Sequence, residues 1–406
     1  MNSARTRKNA GFTLVELMIS MGVTLVLLGA AVAAFRSAQQ TNQMVQQGAD
    51  LSENLRAGMN MMILDIQQAG TGIPTGGIPI PFTSPCGTTP PINRPKLNGT
   101  TTFPYPGATC ESTIPAVEPG NELGPAITAP DAVSGTPANP NSITDEITVL
   151  YADNLVGLDS KPVNQPPTAS PANAGCPNGS LSYAGTTLTV TFDVNCVNLT
   201  NPSSGNSMIT INPGDLIAFQ NANGTALLWV STVAGQTLTF QAGDPFDLNG
   251  RTDSAGTIRQ LETGGPACGG TPSCFPPTLA TRIWMITYYL DNVTAPPYTR
   301  LIRQVNMPSG TSIYLPTPVG ETLENLQFTY NFVDGVKNPA NQATVPAGDS
   351  ESNIRAVNVY LAARASQPVQ VGNNLIYARS NLMSQISLRS LAYVNNYTGP
   401  NTQIGN

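Results

Sequence analysis

The chain has 406 residues, including 37 Gly and 36 Pro, with only 10% charged side chains and a formal net charge of −6. That length accommodates one to three domains with a substantial core, and the low charge does not fit the signature of disorder. The acidic balance argues against a sequence-independent grip on nucleic acid, and the complete absence of His removes the commonest general base, Ser-His and Cys-His nucleophilic pairs, and most zinc sites.

The stretch Ala10 to Phe35 decides where the rest of the chain goes. Phe12 to Phe35 is apolar enough to cross a bilayer as a helix, which needs about 20 residues. Glu16 is its only charge. Arg5, Arg7 and Lys8 precede it and Arg36 alone closely follows, so the positive-inside bias keeps the N-terminus cytoplasmic and the large remainder extracytoplasmic.

Amphipathic helix continues past Phe35. Met44, Leu51, Leu55, Met59, Met62 and Ile66 recur at helical spacing, and this stripe predicts packing against a following domain. Gly70, Gly72 and Pro74 supply the stop. Residues 71 to 142 are dense in Pro, Gly, Thr and Asn and read as an irregular, exposed connecting region. Strand signals then follow at Ile147–Tyr151, Leu188–Phe192, Leu216–Phe219, Ala226–Val233 and Thr237–Phe240. More come at Arg282–Leu290, Arg300–Val305, Leu323–Val333, Ile354–Ala363 and Ser384–Leu391. One long helix followed only by strands predicts an α+β chain, the helix packed on an antiparallel β-rich C-terminal domain with long Pro/Gly-rich loops. The divisions are a leader over 1–11, the helix over 12–70 with its span at about 12–35, the connecting region over 71–142, the β-rich domain over 143–395 and a tail over 396–406.

Six cysteines in an exported chain read as disulfides. Fifteen pairings are open to six cysteines. Proximity favours Cys86 with Cys110, Cys176 with Cys196, and Cys268 with Cys274.

A basic leader ending in Gly11, then Phe12, then Thr13-Leu14-Val15-Glu16, resembles the type III signal of type IV pilins and their pseudopilin relatives. The resemblance implies that a prepilin peptidase cleaves between Gly11 and Phe12, that Phe12 is then N-methylated, and that Glu16 takes part in filament assembly. Two plainer readings compete. Leu17 to Leu28 suits the apolar region of a secretory signal, with Ala31-Val32-Ala33 as its cleavage site, but such a signal gains nothing from Glu16. An uncut anchor explains the topology and leaves Gly11, Phe12 and Glu16 as coincidences.

Further stretches resemble the PilW group of minor pilins: Arg56 to Gly70, Asp145 to Val149, Tyr288-Tyr289-Leu290 with Leu301-Ile302-Arg303, Val319 to Tyr330, Ile354 to Val357, and Ser387-Leu388-Arg389. The likeness fails around 71–142 and 158–180. It implies a subunit that is incorporated into, or initiates, a type IV pilus. Its partners would be the peptidase, other major and minor pilins, the inner-membrane assembly platform and membrane lipid. Its location would be the inner membrane, single-pass, and then the pilus or cell surface. Alternatives are a J-type pseudopilin of a type II secretion system, or a membrane-anchored glycan-binding or enzymatic surface domain.

Glu16 is the strongest single candidate, because an ionisable group within a membrane span costs about 2.5–3.5 kcal/mol. Asp244, Asp247, Asn249 and Asp253 invite a calcium reading, but Pro245 and Gly256 break the EF-hand spacing, and an Asp/Asn/Gly turn is the better expectation. Asp145 and Glu146 would alternate across a strand. No catalytic group, cofactor, metal or nucleic acid is expected.

Overall fold

The computed structural model describes residues 13–74, 76–81, 94–95, 113–127, 143–153, 158, 162–164, 176, 178–199, 211–251, 256–264, 268–293, 298–307, 314–332, 341–347, 349–371 and 374–388. Helix α1 (Leu14–Gln68) opens the chain. At 1.5 Å per residue its 55 residues extend about 82 Å. Its docked face is Leu51, Leu55, Gly58, Met59, Met62, Asp65 and Ile66. Met44, expected to open that stripe, is 40% exposed. The domain does not reach so far up the helix: every side chain from 36 to 46 is exposed. Gly58 allows the helix its close approach, since a Cβ there would lie 3.0 Å from Leu301 Cδ2.

Residues 71–142, expected to be irregular, contribute three short strands, β1 (Ile78–Pro79), β2 (Thr113–Ile114) and β3 (Val117–Gly120). Next come β4 (Glu146–Ala152), β5 (Ser180–Ala184), β6 (Thr187–Thr191), β7 (Leu216–Asn221), β8 (Gly224–Trp229), β9 (Thr232–Ala234) and β10 (Thr237–Gln241). The expected strand at 226–233 is thus two, parted at Val230-Ser231 where the chain passes from one sheet to another. The remainder are β11 (Leu279–Asp291), β12 (Arg300–Val305), β13 (Thr317–Glu321), β14 (Leu323–Phe332), β15 (Ile354–Arg364), β16 (Val369–Val371), β17 (Asn374–Ile376) and β18 (Arg379–Ser387). β18 begins five residues before the expected Ser384, because cross-strand pairing with β15 recruits the polar run that hydrophobicity alone passes over.

All the strand pairings among the described residues are antiparallel, giving the α+β arrangement expected. β11 is the spine. Ile283 pairs with both Ala152 of β4 and Leu216 of β7, and Ile286 with both Val149 of β4 and Val305 of β12. β4 therefore holds one edge of β11, while β7 and β12 share the other in succession. Asn306 fills the junction: Met285 donates to its Oδ1 at 3.1 Å, and its Nδ2 reaches the Gly214 carbonyl at 3.2 Å. The outer strands β3 and β13 carry Pro119 and Pro318. Proline belongs on an edge, where a missing N–H costs no ladder bond.

Three cores result. The first lies between α1, the β4–β11–β12 face (Val149, Tyr288, Leu301) and the β14–β15–β18 sheet (Phe328, Val359, Ile386). The second packs the β5–β6–β10–β9 sheet on β7 and β8, with Phe219 and Phe240 edge to face at 5.4 Å. The third covers the opposite face of β7 and β8 with Ile78, Ile114, Phe246 and Met285. Being covered on both faces, β7 and β8 read as nearly continuous apolar runs.

Candidate functional site

The start of α1 is closed by a reciprocal pair. Thr13 Oγ1 accepts from the Glu16 N–H at 3.3 Å, and Glu16 Oε2 accepts from the Thr13 N–H at 3.2 Å and from its hydroxyl at 3.1 Å. This capping box satisfies two donors that a helix N-terminus otherwise leaves orphaned. Glu16 is thereby held by its own helix. Sequence reasoning singled out Glu16 and overlooked Thr13, although Thr-x-x-Glu ahead of an apolar run is the signature of such a box.

From Leu14 to Phe35 every side chain is exposed, although most are apolar. Exposure of each large apolar group to water would cost about 1.5–3 kcal/mol relative to burial, so this surface requires lipid or protein around it. The hydroxyls of Ser20 and Thr24 turn back onto the carbonyls of Leu17 and Ser20 at 2.9 and 2.7 Å. Polar groups in the segment thus bring their own partners, as a hydrocarbon surrounding demands. The helix is long and apolar enough to cross a membrane.

Residues 6–32 match the prokaryotic N-terminal methylation motif. This prepilin-type signal supports a type IV pilin-like protein, pilin or pseudopilin, and implies processing by a prepilin peptidase and hand-over to pilin assembly machinery. With the apolar helix it fits a membrane-anchored chain. No curated protein and no solved structure matches the chain. Gly11 and Phe12, at the expected cleavage and methylation point, lie outside the described residues, as do Arg5, Arg7, Lys8, Cys86 and Cys110.

The far end of the prepilin-type helix is locked to the domain by one carboxylate. Asp65 Oδ2 accepts from Arg303 Nε at 2.6 Å and from the Tyr288 hydroxyl at 2.5 Å. Its Oδ1 accepts from Arg303 Nη2 at 3.1 Å and from the Tyr151 hydroxyl at 3.3 Å. Strands β4, β11 and β12 each contribute one of these donors. Burial raises the pKa of both tyrosines and the Asp65 charge raises it further, so they remain protonated donors. Burial opposes the Arg303 charge, but its hydrogen bonds and attraction to Asp65 outweigh that, and the guanidinium is held above its ordinary pKa. Two backbone bonds complete the seam, Gly70 N–H to the Leu150 carbonyl and Ala152 N–H to the Thr71 carbonyl, each 2.8 Å.

A second polar cluster escaped the sequence because only strand register assembles it. Arg282 on β11 bonds Asp153, just after β4, through Nε at 3.0 Å, and lies 3.5 Å from Asp215, just before β7. The Tyr314 hydroxyl donates to Asp215 and the Trp284 indole N–H to Asp153 at 3.1 Å. Burial raises the Asp215 pKa against the lowering effects of Tyr314 and Arg282. Each carboxylate is already engaged, so the cluster ties β4, β7 and β11 together.

The Asp244 loop is a turn, as its composition suggests. Asp244 accepts the N–H groups of Phe246, Leu248 and Asn249, and Asn249 bonds the Trp229 N–H and carbonyl at 3.0 and 2.7 Å. Arg251 pairs with Asp247 at 2.7 Å. Disulfides join Cys176 to Cys196 and Cys268 to Cys274. Asp193 strengthens the first clasp by accepting from the N–H groups of Asn178 and Asn195 at 3.1 and 2.9 Å.

Proposed function

We propose that this chain is a minor pilin of the PilW group, a non-enzymatic subunit that enters or initiates a type IV pilus. The reading is carried by the prepilin-type signal on a helix whose first half is left uncovered by the described residues. It gains support from the Asp65 anchorage, because Asp65, Tyr288 and Arg303 come from three separate stretches that resemble the PilW group, and they meet in space. A shared way of fastening the helix accounts for those scattered likenesses. After release from the peptidase the mature chain would begin at N-methyl-Phe12 and sit in the inner membrane, its β-rich domain outside, before assembly to the cell surface.

Mass spectrometry of sheared surface filaments tests this. Peptides of this chain should be present, with an N-terminal peptide starting at methylated Phe12. A mature terminus at Ala34, or an intact leader in a peptidase-competent cell, would sink the pilin reading.

A further inference from the structure

The sheet of β14, β15 and β18 turns one face to α1 through Leu326, Phe328, Val357, Val359, Leu361 and Ile386. Alternate residues therefore form the opposite face. Its central rows read Gln327–Tyr360–Met383 and Thr329–Asn358–Gln385 across the strands. The flanking rows are Asn325–Ala362–Asn381 and Asn331–Ala356–Ser387. Across these four rows half the positions are amides, none is charged, and a single aromatic ring stands near the centre.

This face is also walled. The chain at Asn341-Gln342 returns along the outer edge of β14, held by paired backbone bonds between Tyr330 and Gln342 at 2.7 and 2.9 Å. Asn341 adopts a left-handed φ of 54°, which asparagine tolerates better than most residues. Its N–H donates to Asn331 Oδ1 at 2.9 Å and its Oδ1 accepts from Asn358 Nδ2 at 3.1 Å. The groove so formed has a volume of about 390 Å³, within the range of small-molecule sites, about 300–1,000 Å³.

Its polar groups are not fully consumed within the protein. Asn358 Nδ2 lies within 3.2 Å of Thr329 Oγ1, Asn331 Oδ1 and Asn341 Oδ1, three acceptors for two hydrogens. The Gln385 side-chain amide and the Tyr360 hydroxyl have no partner among the described residues. Met383, 73% exposed, lies beside the Tyr360 ring in the same row.

We propose that this groove binds a neutral saccharide. An amide presents donor and acceptor side by side, as does a pair of adjacent sugar hydroxyls. The Tyr360 ring with Met383 offers a flat apolar floor to the C–H face of a sugar ring, while the phenol tip remains polar. The absence of charge removes any preference for acidic or basic polymers. An apolar helix is a poorer fit, since it would bury the Gln385 amide and the Tyr360 hydroxyl without partners. This assignment stands apart from the pilin reading, since it uses only the domain's outer sheet.

The test is a titration of the full-length chain in lipid nanodiscs, which avoid sugar-headed detergents. The probes are cellohexaose, chitohexaose and maltohexaose, with heparin and polygalacturonate as charged controls. At least one neutral hexasaccharide should bind with an affinity that added salt leaves unchanged. Tyr360→Ala and Gln385→Ala should each weaken it by about tenfold or more, and Tyr360→Phe, which keeps the ring and loses only the hydroxyl, should weaken it less than Tyr360→Ala, with the unfolding midpoint of the Gln385 variant unaltered. Gln385 is exposed, so its variant keeps the test sound even where Tyr360→Ala perturbs folding. No binding of any neutral hexasaccharide at millimolar concentration, binding indifferent to both alanine variants, or binding confined to the charged polymers would overturn the proposal. So would loss of a protein–protein contact in these variants without any saccharide binding.

Discussion

Replacing Asp65 with alanine should loosen the helix from its domain. The carboxylate is 6% exposed and its Arg303 partner 22%, so the substitution leaves a largely buried guanidinium without its counter-ion. Removing one member of a buried pair costs about 3–5 kcal/mol. Solvent reaches Arg303 and lowers that figure, but the Tyr288 hydroxyl also loses its 2.5 Å bond, and an unsatisfied buried donor costs about 1–3 kcal/mol. These losses share one site and do not simply add. The expected net effect is about 4 kcal/mol, a large part of the about 5–15 kcal/mol of a typical domain. Chemical unfolding of the full chain in nanodiscs, followed by near-ultraviolet circular dichroism, measures it. Asp65→Asn, which keeps shape and one acceptor, should lose about half as much. The pair Asp65→Leu with Arg303→Met should be more stable than Asp65→Ala alone, since no charge is stranded. A loss under about 1 kcal/mol for Asp65→Ala, or a double variant that falls by the sum of its singles, would refute the idea of a buried charge lock.

Three further outcomes are expected. Glu16→Ala and Glu16→Gln should leave insertion and cleavage after Gly11 intact while reducing filament incorporation, whereas Thr13→Ala, which removes the cap at a cost of about 1 kcal/mol, should assemble near wild type; equal defects in all three would assign Glu16 to helix capping alone. Replacing both Cys176 and Cys196 with serine should cost about 3 kcal/mol, and the Cys268 and Cys274 pair about 2 kcal/mol, from the lengths of the closed loops; unfolding titrations check the order. Burial raises the folded-state pKa of Asp145, Asp215 and Asp244, against hydrogen bonds that lower it. Their contribution is therefore fully present below the unfolded value of about 3.9 and lost as pH rises through the folded values. Asp145→Asn should accordingly flatten the gain in unfolding midpoint between neutral pH and mild acid, and an unchanged pH profile would contradict the assignment.

Local signals carried much of this architecture. Phe12 to Phe35, the Leu51–Ile66 stripe and the β-branched runs of β4, β11 and β15 each show their period within a few residues. Where packing depends on distant partners, the chain was opaque. β3 and β13 contain Pro and Gly that local rules count against a strand, and only their place at the sheet edges makes those residues acceptable. β18 is mostly polar because it is an edge strand that turns only Leu382 and Ile386 of its apolar side chains to the α1 core, so its strand character comes from pairing with β15. At the N-terminus the same motif showed Glu16 directly, while the Asp65 lock required Tyr151, Tyr288 and Arg303 to be brought from positions far apart in sequence.

The shared edge of β11 also determines how the molecule bears load. A pull along α1 reaches β4, β11 and β12 through Asp65, and reaches the β14–β15–β18 sheet through the apolar seam of the same helix. Among the described residues the β5–β6–β10–β9 sheet shares neither core seam of the helix and packs instead on β7 and β8, which join the first half of β11. Tension between the membrane end and the outer sheet therefore bypasses it. That disulfide-clasped lobe is a side branch, held off the path from the helix to the outer sheet.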